Sequence, residues 1–307
     1  MVNNSRYEMQ HKRRPAHFFF LDAEDSPEIF TALFRAAADW ARTRGCVALE
    51  GPMLFGGTYG SGVLIDGFET PAPLTMMPYN FRYYALRLEE LGFEKLFDLV
   101  GADISPAHFS LPAKVESVAE KVRLRGRFKV LEFKRKADIA SRADEIATLY
   151  NATLADHYEN YPLTEAELEF VKNDLLSVAD PRLVKILEYD GKIVGFLFAF
   201  HDLNPALRRN MGKVTPLGIL RLLIGYRQRR KVFFNGMGIM EEYQRLGGNA
   251  LLYSELTRTV SSMGFTEAET VQINEHTDLM LADIKRLGAI ITKRHRVFTR
   301  KISSESD

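Results

Sequence analysis

KVFFNGMGIM, EEYQRLGGNA and LLYSELTRTVSSM run consecutively over residues 231–263, and their reading decides the fold. The first part is rich in β-formers (Val232, Phe233, Phe234, Ile239, Met240), the middle is a polar turn with two adjacent glycines, and the last part repeats apolar residues at helical spacing. The order is strand, glycine loop, helix. A helix start carries unpaired N–H groups and a partial positive charge, and Gly247 and Gly248 would let a ligand come close to the backbone there. That arrangement suits a pyrophosphate; the plainer alternative is a tight strand-to-helix turn with no ligand.

The wording of the turn, Glu242-Tyr243-Gln244-Arg245-Leu246-Gly247-Gly248-Asn249-Ala250, resembles the acyl-CoA loop of the GNAT N-acetyltransferases, written Gln/Arg-x-x-Gly-x-Gly/Ala after the fourth strand. The frame that starts at Gln244 keeps the strand-to-loop spacing and puts Asn249 in the last slot; the frame from Arg245 puts Ala250 there. The resemblance implies that backbone N–H groups from Leu246 to Ala250 hold the pyrophosphate of acetyl-CoA or another acyl-CoA. A side chain at Gly247 should then block the cofactor while the fold survives.

Composition narrows the field. With 307 residues, 46% hydrophobic and 26% charged, the chain can bury a large core and is long enough for two domains. Forty-one basic against forty acidic side chains leave a net charge of +1, so no overall field favours nucleic acid or an anionic membrane. Basic clusters at 11–14, 227–231 and 293–296 read as solvated faces. The single cysteine, Cys46, excludes an intrachain disulfide and sits in an apolar run that places it in the core. Residues 1–15 lack the apolar region of a signal peptide, and no apolar run approaches the ~18 residues of a membrane span, so a cytoplasmic location is expected.

Before the central stretch, a strand at 17–21 leads to Asp25-Ser26-Pro27, a capped helix start. That helix is expected to bury the face of Ile29, Leu33, Ala36, Ala37 and Trp40. A strand follows at 46–49, then a glycine-dense loop over 56–62. A helix over 81–91 ends at Gly92 before a strand at 95–100, and the same ending recurs at Leu287-Gly288 with a strand at 289–298, a weak self-similarity between the halves. Pro106 and Pro112 mark a boundary, and 115–124 reads as a linking helix. Next come a strand (128–134), helices (143–157, 165–178), and strands (183–189, 193–201) joined at Asp190-Gly191. The insertion at 204–230 holds a helix too short to span a bilayer, expected to lie over the sheet edge. A strand at 267–273, a helix at 278–287 and the last strand close the chain.

The order β-α-α-β-β-β-α-β-α-β over 125–302 is that of the GNAT fold. Further residues, Gly51-Pro52, Met77-Pro78-Tyr79-Asn80, Leu91-Gly92-Phe93, the 160–164 run from Asn160, and the 202–207 run from Asp202, look like a group of two-lobed bacterial GNAT-like proteins of poorly defined substrate, in which the first lobe is a degenerate copy of the second. The expected fold class is therefore α/β with a mixed sheet: a partial GNAT-like lobe at 1–104, a linker and helix at 105–124, and a GNAT acyltransferase domain at 125–307. The first lobe should not bind CoA, because Asp22-Ala23-Glu24-Asp25 stands where the second lobe has its glycine loop.

The resemblance implies acyl transfer from a thioester to an amine of a small molecule. Such a reaction needs a base, a donor for the thioester oxygen and a proton for the thiolate. The family supplies the donor from the splayed fourth strand, here near Ile239 and Met240, and Asn274 matches a position that faces the cofactor. Many members place a tyrosine acid four residues before the glycine that ends the later helix; Ile284 stands there, and Tyr253 is the available phenol. On the acceptor side the candidates are His157, Asn160, Tyr161, His201, Asp202 and Asn204, with His201 able to titrate near neutrality and Asp202 to hold a cationic amine. Residues 160–164 and 202–205 read equally as turns, with Thr164 as a helix cap. No metal constellation appears. Two rivals share the fold: a binding module without turnover, and an N-acyl amino acid synthase that docks an acyl carrier protein through Arg227, Arg229, Arg230 and Lys231. The expected partners are a small-molecule amine and neither nucleic acid nor a membrane span, with a homodimer left open.

Overall fold

The computed structural model describes residues 1–53, 60–75, 77–105, 111–154, 161, 163–211, 213, 215–228 and 230–302. Its strands are β1 (Pro15–His17), β2 (Ala48–Gly51), β3 (Val63–Asp66), β4 (Glu94–Asp103), β5 (Phe128–Leu131), β6 (Val184–Tyr189), β7 (Lys192–His201), β8 (Lys231–Ile239), β9 (Glu267–Thr270), β10 (Ile273–Asn274) and β11 (Ile290–Lys301). The helices are α1 (Ser5–His11), α2 (Pro27–Arg42), α3 (Tyr83–Glu90), α4 (Ala113–Arg125), α5 (Lys136–Ala140), α6 (Ala143–Leu154), α7 (Glu165–Val178), α8 (Asn204–Arg209), α9 (Pro216–Gln228), α10 (Gly248–Ser262) and α11 (Asp278–Arg286).

One mixed sheet runs in the order β1-β2-β11-β4-β9-β8-β7-β6-β5, with β3 and β10 paired to β11 and β4 off that path. The middle of this order is nearly symmetric. β1 and β2 are parallel, joined through α2; β8 and β9 are parallel, joined through α10. Each half then sends its last strand across to the other. β11, from the second half, lies between β2 and β4, and β4, from the first half, lies against β9. The self-similar endings thus meet: β4 and β11 are antiparallel neighbours, each preceded by a glycine at positive φ, Gly92 at 76° and Gly288 at 81°. The sheet is continuous across the boundary expected at 105–124.

Local chemistry accounts for most elements. Ser26 caps α2 by accepting from the Ile29 N–H at 3.2 Å, with Pro27 in the first turn, and Thr164 caps α7 with Glu167 in a reciprocal box. The buried face of α2 departs from the expected stripe. Phe30, Phe34, Ala38 and Ala41 are buried, while Ile29 and Leu33 are 39% and 46% exposed. The two stripes are one residue apart, and the aromatic one packs in a cluster with Phe18 and Phe93. β1 also stops at His17, so Phe18–Leu21 is not strand, and α1 and α8 arise where the sequence was read as polar lead and turn, with α5 in the link between the strand at 128–134 and the helix at 143.

Both sheet faces are covered near the second half. α4 and α10 pack on one face through Val122, Leu251 and Leu252 against Leu187 and Leu197; α6 and α7 pack on the other through Ile146, Leu149 and Leu175 against Ile186 and Phe198. His17 and His295 are buried in the first half. Burial pushes both imidazoles down to about 4, and Arg13 and His11 add to the effect at His17. His295 keeps one partner, donating from Nε2 to the Pro78 carbonyl at 2.9 Å.

In the unfolded chain these rings titrate near 6.5, so between about pH 6.5 and about pH 4 the unfolded chain binds protons that the folded chain refuses. Stability is therefore complete above that window and falls on acidification, by about 3 kcal/mol per ring across the whole range. Denaturant midpoints measured from about pH 7 down to about pH 4.5 should fall, and His295→Gln should flatten the fall. A midpoint that ignores pH over this window would contradict the neutral buried rings.

Candidate functional site

The segment after β8 builds a backbone cradle. A short 3-10 turn at Glu241–Tyr243 closes with Tyr243 N donating to Met240 O at 2.9 Å and Gln244 N to Glu241 O at 3.1 Å. Arg245 then takes the left-handed conformation at φ 61° and Gly247 does so at φ 89°, after which α10 starts with no side-chain cap. Among the described residues no acceptor meets the N–H groups from Arg245 to Ala250; Leu251 is the first to bond, to Gly247 O at 3.2 Å. Six consecutive donors at the start of a 15-residue helix make a ready anion site. The equivalent helix of the first half, α2, has its start closed by Ser26.

The two glycines have a further reason to be there. A Cβ at Gly247 would lie 2.7 Å from Val122 Cγ2 on α4, and one at Gly248 would lie 2.6 Å from Leu187 Cδ2 on β6. The expectation that Gly247 could be changed without harm to the fold is therefore corrected: the loop is pinned against α4. Asn249 turns away from the loop and donates to Asp283 Oδ2 on α11 at 3.2 Å, the oxygen that the Tyr253 hydroxyl also approaches at 3.4 Å. Gln244 Nε2 donates to Ile239 O at 2.9 Å and fastens the turn to β8.

Upstream, β8 and β9 part. They pair in parallel from Lys231 with Glu267 to Phe234 with Thr270, and the last bond runs from Val271 N to Phe234 O. Beyond it the two go to different partners. β8 bulges at Asn235-Gly236, Gly236 standing at φ 97°, and stays with β7, while the other arm continues into β10 on β4. Met240 N donates to Val194 O at 2.9 Å, so its N–H is engaged and is not the free donor expected for the thioester oxygen. By strand alternation Met237 and Ile239 turn their N–H groups to the open edge.

A cavity of about 460 Å³ occupies this fork. It is walled by Ile146, Tyr150 and Leu175 of α6 and α7 from one side of the sheet, by Tyr253 and Leu256 of α10 and Ile284 of α11 from the other, and by Asn235, Gly236 and Met237 between them. It thus passes through the sheet.

Of the sequence candidates, His201, Tyr253 and Asn274 line the cavity. Asn274 is buried, and its Oδ1 accepts from His276 N at 2.9 Å. Asp202, Asn204 and Tyr161 are not in the wall. Asp202 accepts from Asn204 N at 2.9 Å as a turn, with its carboxyl pushed up by burial. Asn204 ties α8 to the first half, accepting from Thr75 Oγ1 at 2.8 Å and donating to Pro73 O at 2.5 Å. Tyr161 is packed with Tyr7, Met53 and Phe97 under the Arg6 guanidinium. His157 and Asn160 lie outside the described residues.

His201 has a partner that the sequence did not suggest. Its Nε2 is 3.0 Å from Asp180 Oδ2, and its ring lies 4.0 Å from that of Tyr226. Burial pushes the Asp180 carboxyl up, but hydrogen bonds from His201 and Arg182 outweigh that and hold it well below the usual carboxylate range. An ionised Asp180 only accepts, so Nε2 carries the proton and, in the neutral ring, Nδ1 keeps its lone pair. Burial, with Asp283 adding to it, pushes the Tyr253 phenol up, so it stays protonated. Among the described residues no carboxylate lines the cavity. Asp180-Pro181, a 3-10 start, and Asn235-Gly236 inside a strand were the available signals for what was missed.

No protein-family model matches the chain. It is 29% identical over 295 residues to Protein YghO of Escherichia coli (strain K12), covering 93% of this chain and 74% of that protein. It is 28% identical over 299 residues to a protein named bacterial ceramide synthase of Caulobacter vibrioides (strain NA1000 / CB15N), covering 94% and 76%. Among solved structures, the GCN5-related glucosamine N-acetyltransferase region of a fungal multi-domain GH3 β-N-acetylglucosaminidase is similar with a TM-score of 0.54 at 12% identity, covering 94% of this chain and 30% of that one. The chain has the GNAT fold.

Since Gly247 is constrained twice, Gly247→Ala should lower unfolding free energy by about 1–3 kcal/mol. Arg245→Gly, which relieves a left-handed residue in an exposed position, should stay within about 0.5 kcal/mol. Urea unfolding of both variants checks this. Equal stability of the two would show that α4 does not pin the loop.

Proposed function

We propose that the chain transfers a fatty acyl group from acyl-CoA to the primary amine of a long-chain, lipid-like acceptor. The observation that carries this reading is the cavity in the fork, about 460 Å³, mainly apolar and free of carboxylates among the described residues. Hydrocarbon chains gain by leaving water for such walls, whereas a small polyamine, with several charges to keep solvated, gains nothing from them. The relative named bacterial ceramide synthase supports the same reading, because a ceramide is a long-chain amine carrying a fatty acyl amide.

The chain's own groups divide the work. The open N–H groups from Arg245 to Ala250 would hold the pyrophosphate, and the outward N–H groups of Met237 and Ile239 would meet the extended arm of the thioester substrate and its carbonyl oxygen. His201, held in one tautomer by Asp180, accepts the proton that the amine loses as its nitrogen bonds to the acyl carbon and the carbon–sulfur bond breaks. The thiolate leaves with the electron pair. Tyr253, its phenol pushed up, is too weak an acid to protonate it fully and instead donates a hydrogen bond, with solvent supplying the proton. Ile284 in the wall leaves no phenol at the position many GNAT enzymes use.

Thiol release should be followed with palmitoyl-CoA and a long-chain 2-amino alcohol, then with acetyl-CoA and a polyamine. The first pair should turn over and the second should not. His201→Gln should lower kcat by about 100-fold or more. Asp180→Asn should lower it less and move the pH profile. Turnover of the polyamine alone, or full activity of His201→Gln, would sink the proposal.

A further inference from the structure

The helix α9 is built inside out. Its inner side is glycine: a Cβ at Gly218 would lie 3.0 Å from Asn210 Nδ2, and one at Gly225 would lie 3.1 Å from Ala206 Cβ on α8. Its outer side is aliphatic, with Leu217 57%, Ile219 48%, Leu220 52%, Leu223 61% and Ile224 50% exposed, and Met211 just before it is 79% exposed. A water-facing helix puts such residues inward. α9 rests on α8 through its glycines and meets the end of β7, where Tyr226 packs against His201.

The charge of this insertion is equally uneven. Residues 203–230 hold seven Arg or Lys and no Asp or Glu, in a chain whose net charge is +1. Arg208, Arg209, Lys213 and Arg221 are exposed, and among the described residues none of them meets a carboxylate. Exposed aliphatics flanked by unpaired cations on a helix of 13 residues describe an element that lies in the interface of an anionic bilayer. It cannot cross one: no helix among the described residues is long and apolar enough to do so.

We infer that α8 and α9 dock the protein onto an anionic lipid surface beside the mouth of the cavity. The insertion also reaches the cavity. Tyr226 of α9 lines the cavity, as do Phe170 and Val178 of α7, which are 56% and 42% exposed. A second copy is a poor occupant, because a two-fold contact would set two acid-free basic segments against each other. The inference goes beyond the proposed reaction and is tested without substrate, so its failure leaves acyl transfer standing.

The test is sedimentation of the full chain with vesicles of phosphatidylcholine alone, or of phosphatidylcholine and phosphatidylglycerol in equal parts. Binding to the anionic vesicles, weakened by salt and at least about tenfold weaker with neutral ones, is expected. Leu220→Glu with Leu223→Glu should abolish it, and Arg208→Glu with Arg209→Glu should weaken it about tenfold or more, both with unchanged circular dichroism. Three results overturn the inference: no binding by the wild type, equal binding by both variants, or light scattering that shows a dimer which Leu220→Glu with Leu223→Glu dissolves while vesicles stay unbound. A complex with an acidic acyl carrier protein that forms where vesicles do not would overturn it too.

Discussion

The site depends on one conflict of pairing: β8 cannot follow both β7 and β9 past Phe234. Unpaired backbone groups inside a sheet cost free energy, so a fork persists only if each arm is held by something stronger than its neighbour across the gap. Here the bulge at Asn235-Gly236 bends β8 with β7, and β10 is drawn onto β4. Below the fork the strands are clamped. Glu269 on β9 accepts from Lys231 of β8 at 2.5 Å and from Lys293 of β11 at 2.7 Å, all three nearly out of solvent. Burial pushes the Lys293 ammonium down, and the Glu269 carboxylate opposes that. A buried triad of this kind adds little net stability, but breaking it leaves charges without partners, so it fixes where pairing ends.

The near-symmetry of the sheet explains why one half has an open helix start and the other does not. α2 and α10 each follow a strand and lead to a parallel neighbour. In α2 the start is closed by Ser26, and its polar lead carries Asp22, Glu24 and Asp25. In α10 a left-handed Arg245 and Gly247 point successive N–H groups outward with no side chain to take them. One cap residue separates the two helix starts: α2 has its first N–H groups taken by Ser26, and α10 leaves its own open.

What could be seen in the sequence was local. The strand, the glycine loop and α10 were legible because their backbone chemistry is written in adjacent residues, and the order of elements then implied the GNAT fold. His201 was legible as a residue type, but Asp180, 21 positions earlier, was not, since no local rule couples a 3-10 cap to a strand end. The crossing of β11 into the first half was equally hidden, because strand exchange is a choice among distant partners of similar β propensity. Periodicity on α2 gave a stripe without saying which of two neighbouring stripes is inside, and the helix at 204–230 was read without a stripe at all. In α2 the aromatic stripe prevailed over the aliphatic one, and in α9 the glycines turned inward. Asp202 and Asn204, read as contacts for an acceptor, are a turn and a brace, the local alternative that the sequence also permitted.

The brace shows what the first half does for the fork. Besides pairing β10 through β4, it grips the link between β9 and β10: Ser61 N donates to Gln272 Oε1 at 2.8 Å, and Gln272 Nε2 donates back to Ser61 O at 2.6 Å. Asn204 meets Thr75 and Pro73 from the same half, and Leu74, Thr75 and Met77 stand in the cavity wall. The far arm of the fork and the base of the α8–α9 insertion are therefore both moored to a lobe whose own helix start is capped. No other strand among the described residues pairs with β10. The first half thus shapes the cleft without lending it an open helix start, through the pairing of β4 with β10 and the side-chain ties of Gln272 and Asn204.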